Sequence, residues 1–509
     1  MKNHFSITAS CCRWLLSVGS GVFLATASAP AAVPAGSLAE LRAQLDAHFN
    51  QPRFSGALWG VKIASLDSGK IIYQYHADRL MSPASNSKLY TGALALNILG
   101  GNSQFSTPIY VTTKPNRFGT VHGDLIVAGR GDPSWKSTNF WDVFTPFVSI
   151  LTNAGVRRVT GNLVADTTFF HGPPVGASWS VEDLEDTEGA EVSALTLEDN
   201  LAQISVRPGA TISSPCSLTW LTPDTQIVLV NRTRTVPRGG QARLETRRAP
   251  GTKTLYIFGE LPLDDPSEIL ETPVPEPAAW FGAAFKEALA RSGIVVKGKV
   301  RCLAWPELPL WNETNLVKLG EVKSPPLREV IRGFMKPSQN LETDLVFDHV
   351  GETLRAKDAP IWRTSEQSAV AALENFLARN EIPAAVHFDE GSGLSRNNLT
   401  SANTTVGLLT LMATNQWAQD FTNALPVAGE DGTLRRRMRN TPAAGNVHAK
   451  TGTLRWVNAL SGYVTTAAGE RLVFSLMLNR YDAPPNRKRT DELDDIAVLL
   501  AGFRGRSDD

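Results

Sequence analysis

In the stretch "MSPASNSKLYTGALALNILGG", which begins at Met81, Ser85 and Lys88 stand three residues apart at the head of an apolar run. That spacing places both side chains on one face of a helix. A serine oxygen in the first turn lies near the positive end of the helix dipole, where developing negative charge is favoured. A lysine beside it, stripped of water, loses ammonium character and can accept the serine proton. The pair therefore reads as a nucleophile and its base. A helix start with a solvated lysine would use the same letters, but S-x-x-K occurs only once in the chain.

Two further strings carry chemistry. Lys450-Thr451-Gly452, within "HAKTGTLRW" (448–456), precedes a predicted hairpin and so belongs on an edge strand. A cation and a hydroxyl there can hold a substrate carboxylate through charge-assisted bonds. Gly452 leaves room for a close approach to the backbone. Strand N–H groups, with that of Ser85, can stabilise a tetrahedral oxyanion. The third string, S-x-N, occurs four times: Ser137–Asn139, Ser338–Asn340, Ser395–Asn397 and Ser401–Asn403. Ser338-Gln339-Asn340 is chosen because it joins two predicted helices between the other motifs. Turn or N-cap roles suit the other three.

These residues need elements to position them. "LAELRAQLDAHF" has Leu38, Leu41, Leu45 and Phe49 at helical spacing, and "GALWGVKIASLDSGKIIYQY" reads as two strands around a turn at 67–69. The helix of the opening stretch stops at Gly100-Gly101. From about 105 to 275, short β-branched runs such as "TPIYVTT" and "QIVLVNRT" alternate with turn residues, a β-rich texture. Helical periods return at 277–293, 324–335, 340–354, 367–382 and 404–416. A strand pair turning at Ala468-Gly469 and the acid-capped helix "TDELDDIAVLLAGF" complete the chain. The order suggests one α/β unit interrupted by an insertion.

The chain has 509 residues, enough for two or three domains. Fifty basic residues balance fifty acidic ones, so no electrostatic footprint for nucleic acid or an anionic membrane is present. Lys2 and Arg13 supply positive charge ahead of the apolar "WLLSVGSGVFLATA", and Ala25 and Ala27 fit an A-x-A cleavage pattern. Residues 1–29 are thus expected to be a signal peptide cleaved near 27–32. The alternative is a membrane anchor, but the run falls short of the ~20 residues a span needs. No later stretch could span a bilayer. Cys11 and Cys12 would leave with the leader, and Cys216 and Cys302 would remain as a disulfide or two free thiols. The eight histidines show no metal-ligand spacing, so no metal or cofactor is expected. "RGD" at 130–132 and "GSGLS" at 391–395 read as a structural turn and a Gly-rich loop.

S-x-x-K, S-x-N and K-T-G in this chain order mark penicillin-binding proteins and class A β-lactamases. Ser338 follows Ser85 by 253 residues (338 − 85), an interval for which a compact β-lactamase has no room. The sequence resembles the low-molecular-mass class C penicillin-binding proteins, the D-alanyl-D-alanine carboxypeptidase/endopeptidase family. The likeness is densest in "PASNSKLYTGALAL", "GDLIVAGRGDPSW", "SPPLREVIRGFMKPSQNLETDLVFDHVG", "DEGSGLSRNNLT" and "LPVAGEDGTLRRRM…AKTGTLRWVNALSGYV".

The resemblance implies an α/β (α+β) penicillin-binding/β-lactamase-like transpeptidase fold, with a central antiparallel sheet flanked by helices. Its catalytic domain would be 38–104 and 276–509, with β-rich inserted domains at 105–275. It implies catalytic roles for Ser85, Lys88 and Ser338, and substrate binding by Asn340, Lys450, Thr451 and Thr453. The oxyanion hole would be formed at Ser85 and Thr453. The implied activity is that of an exported serine D-alanyl-D-alanine carboxypeptidase, in the periplasm or outside the cell, with D-alanyl cross-links as further substrates. Peptidoglycan stem peptides and β-lactams would be its partners. A serine β-lactamase or esterase would use the same constellation with rapid penicillin turnover. A wall-binding protein without catalysis would keep the fold, although the intact Ser85/Lys88 pair argues against it.

Overall fold

The computed structural model describes residues 34–508, apart from 224–225, 309–312 and 384–385. The expected leader and its two cysteines lie outside the described residues. Ser37 opens the first helix, Leu38–Phe49, by accepting the Glu40 N–H, and Leu41, Leu45 and Phe49 are buried. Strands Leu58–Ser65 and Ile71–Tyr75 then pair antiparallel. Their turn uses Gly69 at φ +74, a conformation glycine adopts without a Cβ penalty.

Three strands from the far end of the chain complete this sheet. The order is His448–Leu454, Val457–Thr465, Arg471–Asn479, Leu58–Ser65 and Ile71–Tyr75, antiparallel throughout. This sheet lies between two apolar cores. Every residue of Arg471–Asn479 after the first is buried, as expected of a strand covered on both faces. On one side, Val61, Ile63, Phe474 and Leu476 share a core with Leu41, Leu45, Leu493 and Ile496 of the terminal helices. A helical core covers the other side. It includes Ser87–Ile98, Leu327–Met335, Asn340–Thr353, Ser365–Arg379, Ala402–Thr414 and Ala418–Ala424. Residues 87–96 are all buried, consistent with a helix that is apolar around its whole circumference.

The insertion holds a second five-stranded sheet, ordered Val300–Leu303, Leu163–Asp166, Leu125–Ala128, Ser106–Val111 and Val317–Lys323. Helix Pro277–Arg291 packs on it through Trp280, Phe281 and Phe285, which meet Trp135, Phe144 and Phe147. The boundary expected at 275 therefore falls inside a continuous core. Residues 277–291 and the strands at 300–303 and 317–323 belong with the insertion, because their hydrogen-bonding and apolar partners lie at 106–166. A turn-rich sequence marks where strands begin, but it carries no record of their partners. Two three-stranded sheets enclose a smaller core around Ile204, Val206, Leu255 and Ile257.

Cys216 lies in the smaller core and Cys302 beside the larger one, and both are free thiols. Among the described residues, no helix is long and apolar enough to cross a membrane.

Candidate active site

Ser85 lies in a single 3₁₀ turn, Ala84–Asn86, that runs into helix Ser87–Ile98. Ala84 before it is held at φ +47, a sparsely populated conformation for a residue with a side chain. The surroundings impose it. Ser82 N–H donates to Asn479 Oδ1 at 2.8 Å, and Asn86 Nδ2 donates to Ser461 Oγ at 2.8 Å, so the turn is pinned to the sheet on both sides.

The edge strand His448–Leu454 comes close to the same turn. A Cβ on Gly452 would lie 2.3 Å from the Pro83 carbonyl oxygen, a distance no real Cβ tolerates. A Cβ on Gly393, itself at φ +88, would lie 2.0 Å from the Ala84 carbonyl oxygen. Two glycines thus let a strand and a loop close on the turn that carries Ser85.

Lys88 Nζ is fully buried and has three neighbours. Ser85 Oγ is 3.1 Å away, Asn340 Oδ1 2.6 Å and the Ser392 carbonyl oxygen 2.7 Å. Asn340 is the first residue of helix Asn340–Thr353, and its Nδ2 donates to the Glu188 carbonyl at 3.1 Å. Ser338, at φ +72 in the loop before that helix, has its Oγ 2.7 Å from Lys450 Nζ. Lys450 also donates to the Thr451 carbonyl at 3.0 Å, and the Thr451 and Thr433 hydroxyls are 2.8 Å apart.

The three motifs, far apart in sequence, therefore meet at one site. Thr453 shares the strand face of Thr451 by the two-residue period and is solvent-exposed. Among the described residues its hydroxyl has no hydrogen-bond partner. Of the other S-x-N strings, Ser401 caps helix Ala402–Thr414 by accepting the Thr404 N–H.

The electrostatics follow from burial. Desolvation pushes the Lys88 ammonium down to about 8, against the opposing pull of Asp344, Glu188 and Glu390. Desolvation also holds Lys450 well below its ordinary value, and the nearby Lys88 charge adds to the effect. Two buried amines that feel each other's charge favour neutral forms. Asp344, one turn beyond Asn340, is raised well above the carboxylate range, first by desolvation and then by Glu390.

Several contributors were invisible as motifs. Lys88 uses the carbonyl of Ser392, a backbone atom that any residue type supplies. Glu390 builds that loop by accepting the N–H groups of Ser392, Gly393 and Ser395 at 2.8, 2.9 and 3.2 Å. Asp344 Oδ1 accepts the Gly391 N–H at 3.1 Å and ties the loop to the Asn340 helix. Its spacing of four from Asn340 was the available signal. Glu188, from the insertion, faces both lysines. Desolvation raises its carboxyl, opposed first by Lys88.

His48, Glu492 and Asp495 bring potential ligand atoms within 4.8 Å of one another. Arg53 and Arg487 already occupy the Glu492 oxygens, so the cluster is an ion-pair network with little attraction for a cation.

Comparison with known proteins places the chain in a family. The family model described as the D-Ala-D-Ala carboxypeptidase 3 (S13) family matches residues 41–499. A D-alanyl-D-alanine carboxypeptidase of Actinomadura sp. (strain R39) is 35% identical over 480 residues, covering 92% of this chain and 86% of its own length. The D-alanyl-D-alanine carboxypeptidase DacB of Haemophilus influenzae is 26% identical over 471 residues, covering 86% and 88%. The crystal structure of penicillin binding protein 4 from Haemophilus influenzae superposes with a TM-score of 0.75 at 24% identity, covering 88% of this chain and 96% of that one. The chain is a serine-type carboxypeptidase and belongs to the D-Ala-D-Ala carboxypeptidase 3 (S13) family.

Proposed function

We propose that the protein removes the terminal D-alanine of peptidoglycan stem peptides through an acyl-enzyme on Ser85. The observation that carries this reading is the surroundings of Lys88 Nζ. A neutral amine has two N–H groups and one lone pair. The carbonyl oxygens of Asn340 and Ser392 take the two hydrogens, which leaves the lone pair for the hydroxyl of Ser85, 3.1 Å away.

Ser85 Oγ attacks the carbonyl of the penultimate D-alanine as its proton passes to Lys88 Nζ. The N–H groups of Ser85 and Thr453 hold the oxyanion. Lys450, with the Thr451 and Thr453 hydroxyls, receives the free terminal carboxylate. Ser338, bonded to Lys450, relays a proton to the departing amine as the C–N bond breaks. Water then attacks the ester, giving the shortened peptide and free Ser85.

A D-alanyl cross-link presents the same carbonyl to the same nucleophile, so endopeptidase action uses the same steps. Penicillin acylates Ser85 as a mimic of the D-alanyl-D-alanine end. Export by the leader brings the enzyme to the wall. The catalytic unit is taken as 34–104 and 324–508, around the insertion at 105–323.

In the test, Ser85→Ala lowers D-alanine release from a soluble D-Ala-D-Ala peptide by about 10⁴-fold or more and abolishes labelling by fluorescent penicillin. Its thermal unfolding stays that of the parent. Retained labelling removes Ser85 from the mechanism, and rapid penicillin turnover by the parent would make the enzyme a β-lactamase.

A further inference from the structure

The sheet formed by Val228–Val236, Thr254–Pro262 and Arg243–Arg247 has one face in the smaller core and the other in solvent. Along its central strand Leu255 and Ile257 point inward and are buried, while Tyr256 and Phe258 are 39% and 40% exposed. Two large aromatic rings at the middle of a solvated sheet face are unusual, because that position normally carries polar side chains. The rings lie side by side, with centroids 6.1 Å apart and planes within 17°. The two near-parallel rings make one exposed aromatic platform.

The rim of the platform is charged. Register sets Arg232 and Glu245 beside Phe258, and Arg247 beside Tyr256. Glu245 is paired with Arg247, and Glu260 with Arg234. Among the described residues no carboxylate pairs with Arg232 or Arg243, so the face keeps a positive excess. The facing sheet of the same small sandwich, through strand Glu268–Pro273, packs on the turn Thr187–Gly189 that supplies Glu188 to the active site.

We propose that this face binds the glycan strands of peptidoglycan, apart from the catalytic cleft, and holds the enzyme on the polymer whose stem peptides it trims. Exposed aromatic rings offer apolar surface against which the C–H faces of pyranose rings pack. Arg232 and Arg243 match the carboxylates that stem peptides place along such a strand. The occupant is a linear, carboxylate-bearing polysaccharide, in keeping with both the apolar platform and its charge. The inference rests on the wall substrate proposed above.

The test compares the full mature enzyme with its Tyr256→Ala/Phe258→Ala variant in sedimentation with insoluble purified peptidoglycan. Hydrolysis of a soluble D-Ala-D-Ala peptide is measured on the same preparations. Bound enzyme at fixed wall concentration is expected to fall about tenfold in the variant, with peptide kcat/KM and thermal unfolding unchanged. Soluble N-acetylglucosamine oligomers without peptide should compete with the parent for the wall. Equal sedimentation of parent and variant overturns the proposal, as does loss of binding only on Arg232→Gln/Arg243→Gln substitution, which would make the contact purely ionic. A concentration-dependent dimer of the parent, lost in the variant with wall binding intact, would assign the face to a second copy and also overturn it. A parent that sediments but fails to hydrolyse the peptide would instead count against the proposed reaction.

Discussion

In the proposed reaction, the number of protons on Lys88 Nζ sets the chemistry of Ser85. An ammonium would need three acceptors and could only donate to the serine, whereas the neutral amine can accept its proton. With the group at about 8, the acylation rate at saturating peptide should rise about tenfold per pH unit below 8 and level off above it. A stopped-flow acylation profile checks this, and a rate independent of pH between 6 and 9 would remove Lys88 as the base. Lys88→Arg, which keeps the charge but cannot deprotonate, should lose about 10²–10⁴-fold in acylation rate.

Lys450 behaves differently. Burial and the neighbouring Lys88 favour its neutral form when the cleft is free, and an arriving carboxylate favours the ammonium. Binding of a D-Ala-D-Ala peptide to Ser85→Ala at pH 8 should therefore take up a proton. Calorimetry in buffers of different ionisation enthalpy reads it directly, and no net uptake would mean that Lys450 is already charged in the free enzyme.

At the scale of elements, the site depends on how closely the edge strand His448–Leu454 approaches the Ser85 turn. Gly452→Ala places a carbon against the Pro83 carbonyl oxygen, so the strand must move outward by a substantial fraction of an ångström. Misplacement of that order should cost about 10²-fold in kcat/KM while the sheet, buried on both faces, stays folded. Circular dichroism and D-alanine release measured together separate loss of alignment from loss of fold. The approach was foreshadowed by the glycine of K-T-G, just as the helical spacing of Leu38, Leu41, Leu45 and Phe49 foreshadowed the first helix.

The strings around Ser85, Ser338 and Lys450 were legible because side-chain chemistry requires particular residue types. The Ser392 carbonyl was not, because a backbone acceptor leaves no mark on composition. Strand partners in the insertion were equally hidden. "VKLGEVK" reads as a strand, but nothing in it names Ser106–Val111 as the neighbour it joins.

For the whole molecule, the insertion is coupled to helix Asn340–Thr353 through polar contacts. The Glu188 carbonyl holds Asn340, and two residues further along that helix Glu342 pairs with Lys136 of the insertion, which also pairs with Asp199. Desolvation lifts Glu342 to about 7 and outweighs the attraction of Lys136. A carboxyl raised on folding favours the folded state most at pH below its unfolded value near 4.5, and that advantage is lost as pH rises through about 7. Removing the neighbouring cation raises the group further and widens this window. Lys136→Ala should therefore cost about 1–3 kcal/mol at pH 8 and much less at pH 5. Denaturant unfolding at the two pH values tests it, and an equal loss at both would mean that the pair contributes through packing alone.

The central claim is that Ser85 becomes covalently acylated within this assembled cleft. Mass spectrometry of the intact mature protein after penicillin, followed by peptide mapping, tests it most directly. A single adduct on the peptide containing Ser85, absent from Ser85→Ala, is the predicted result. An adduct on another residue, or none in a preparation that still releases D-alanine, would contradict the account.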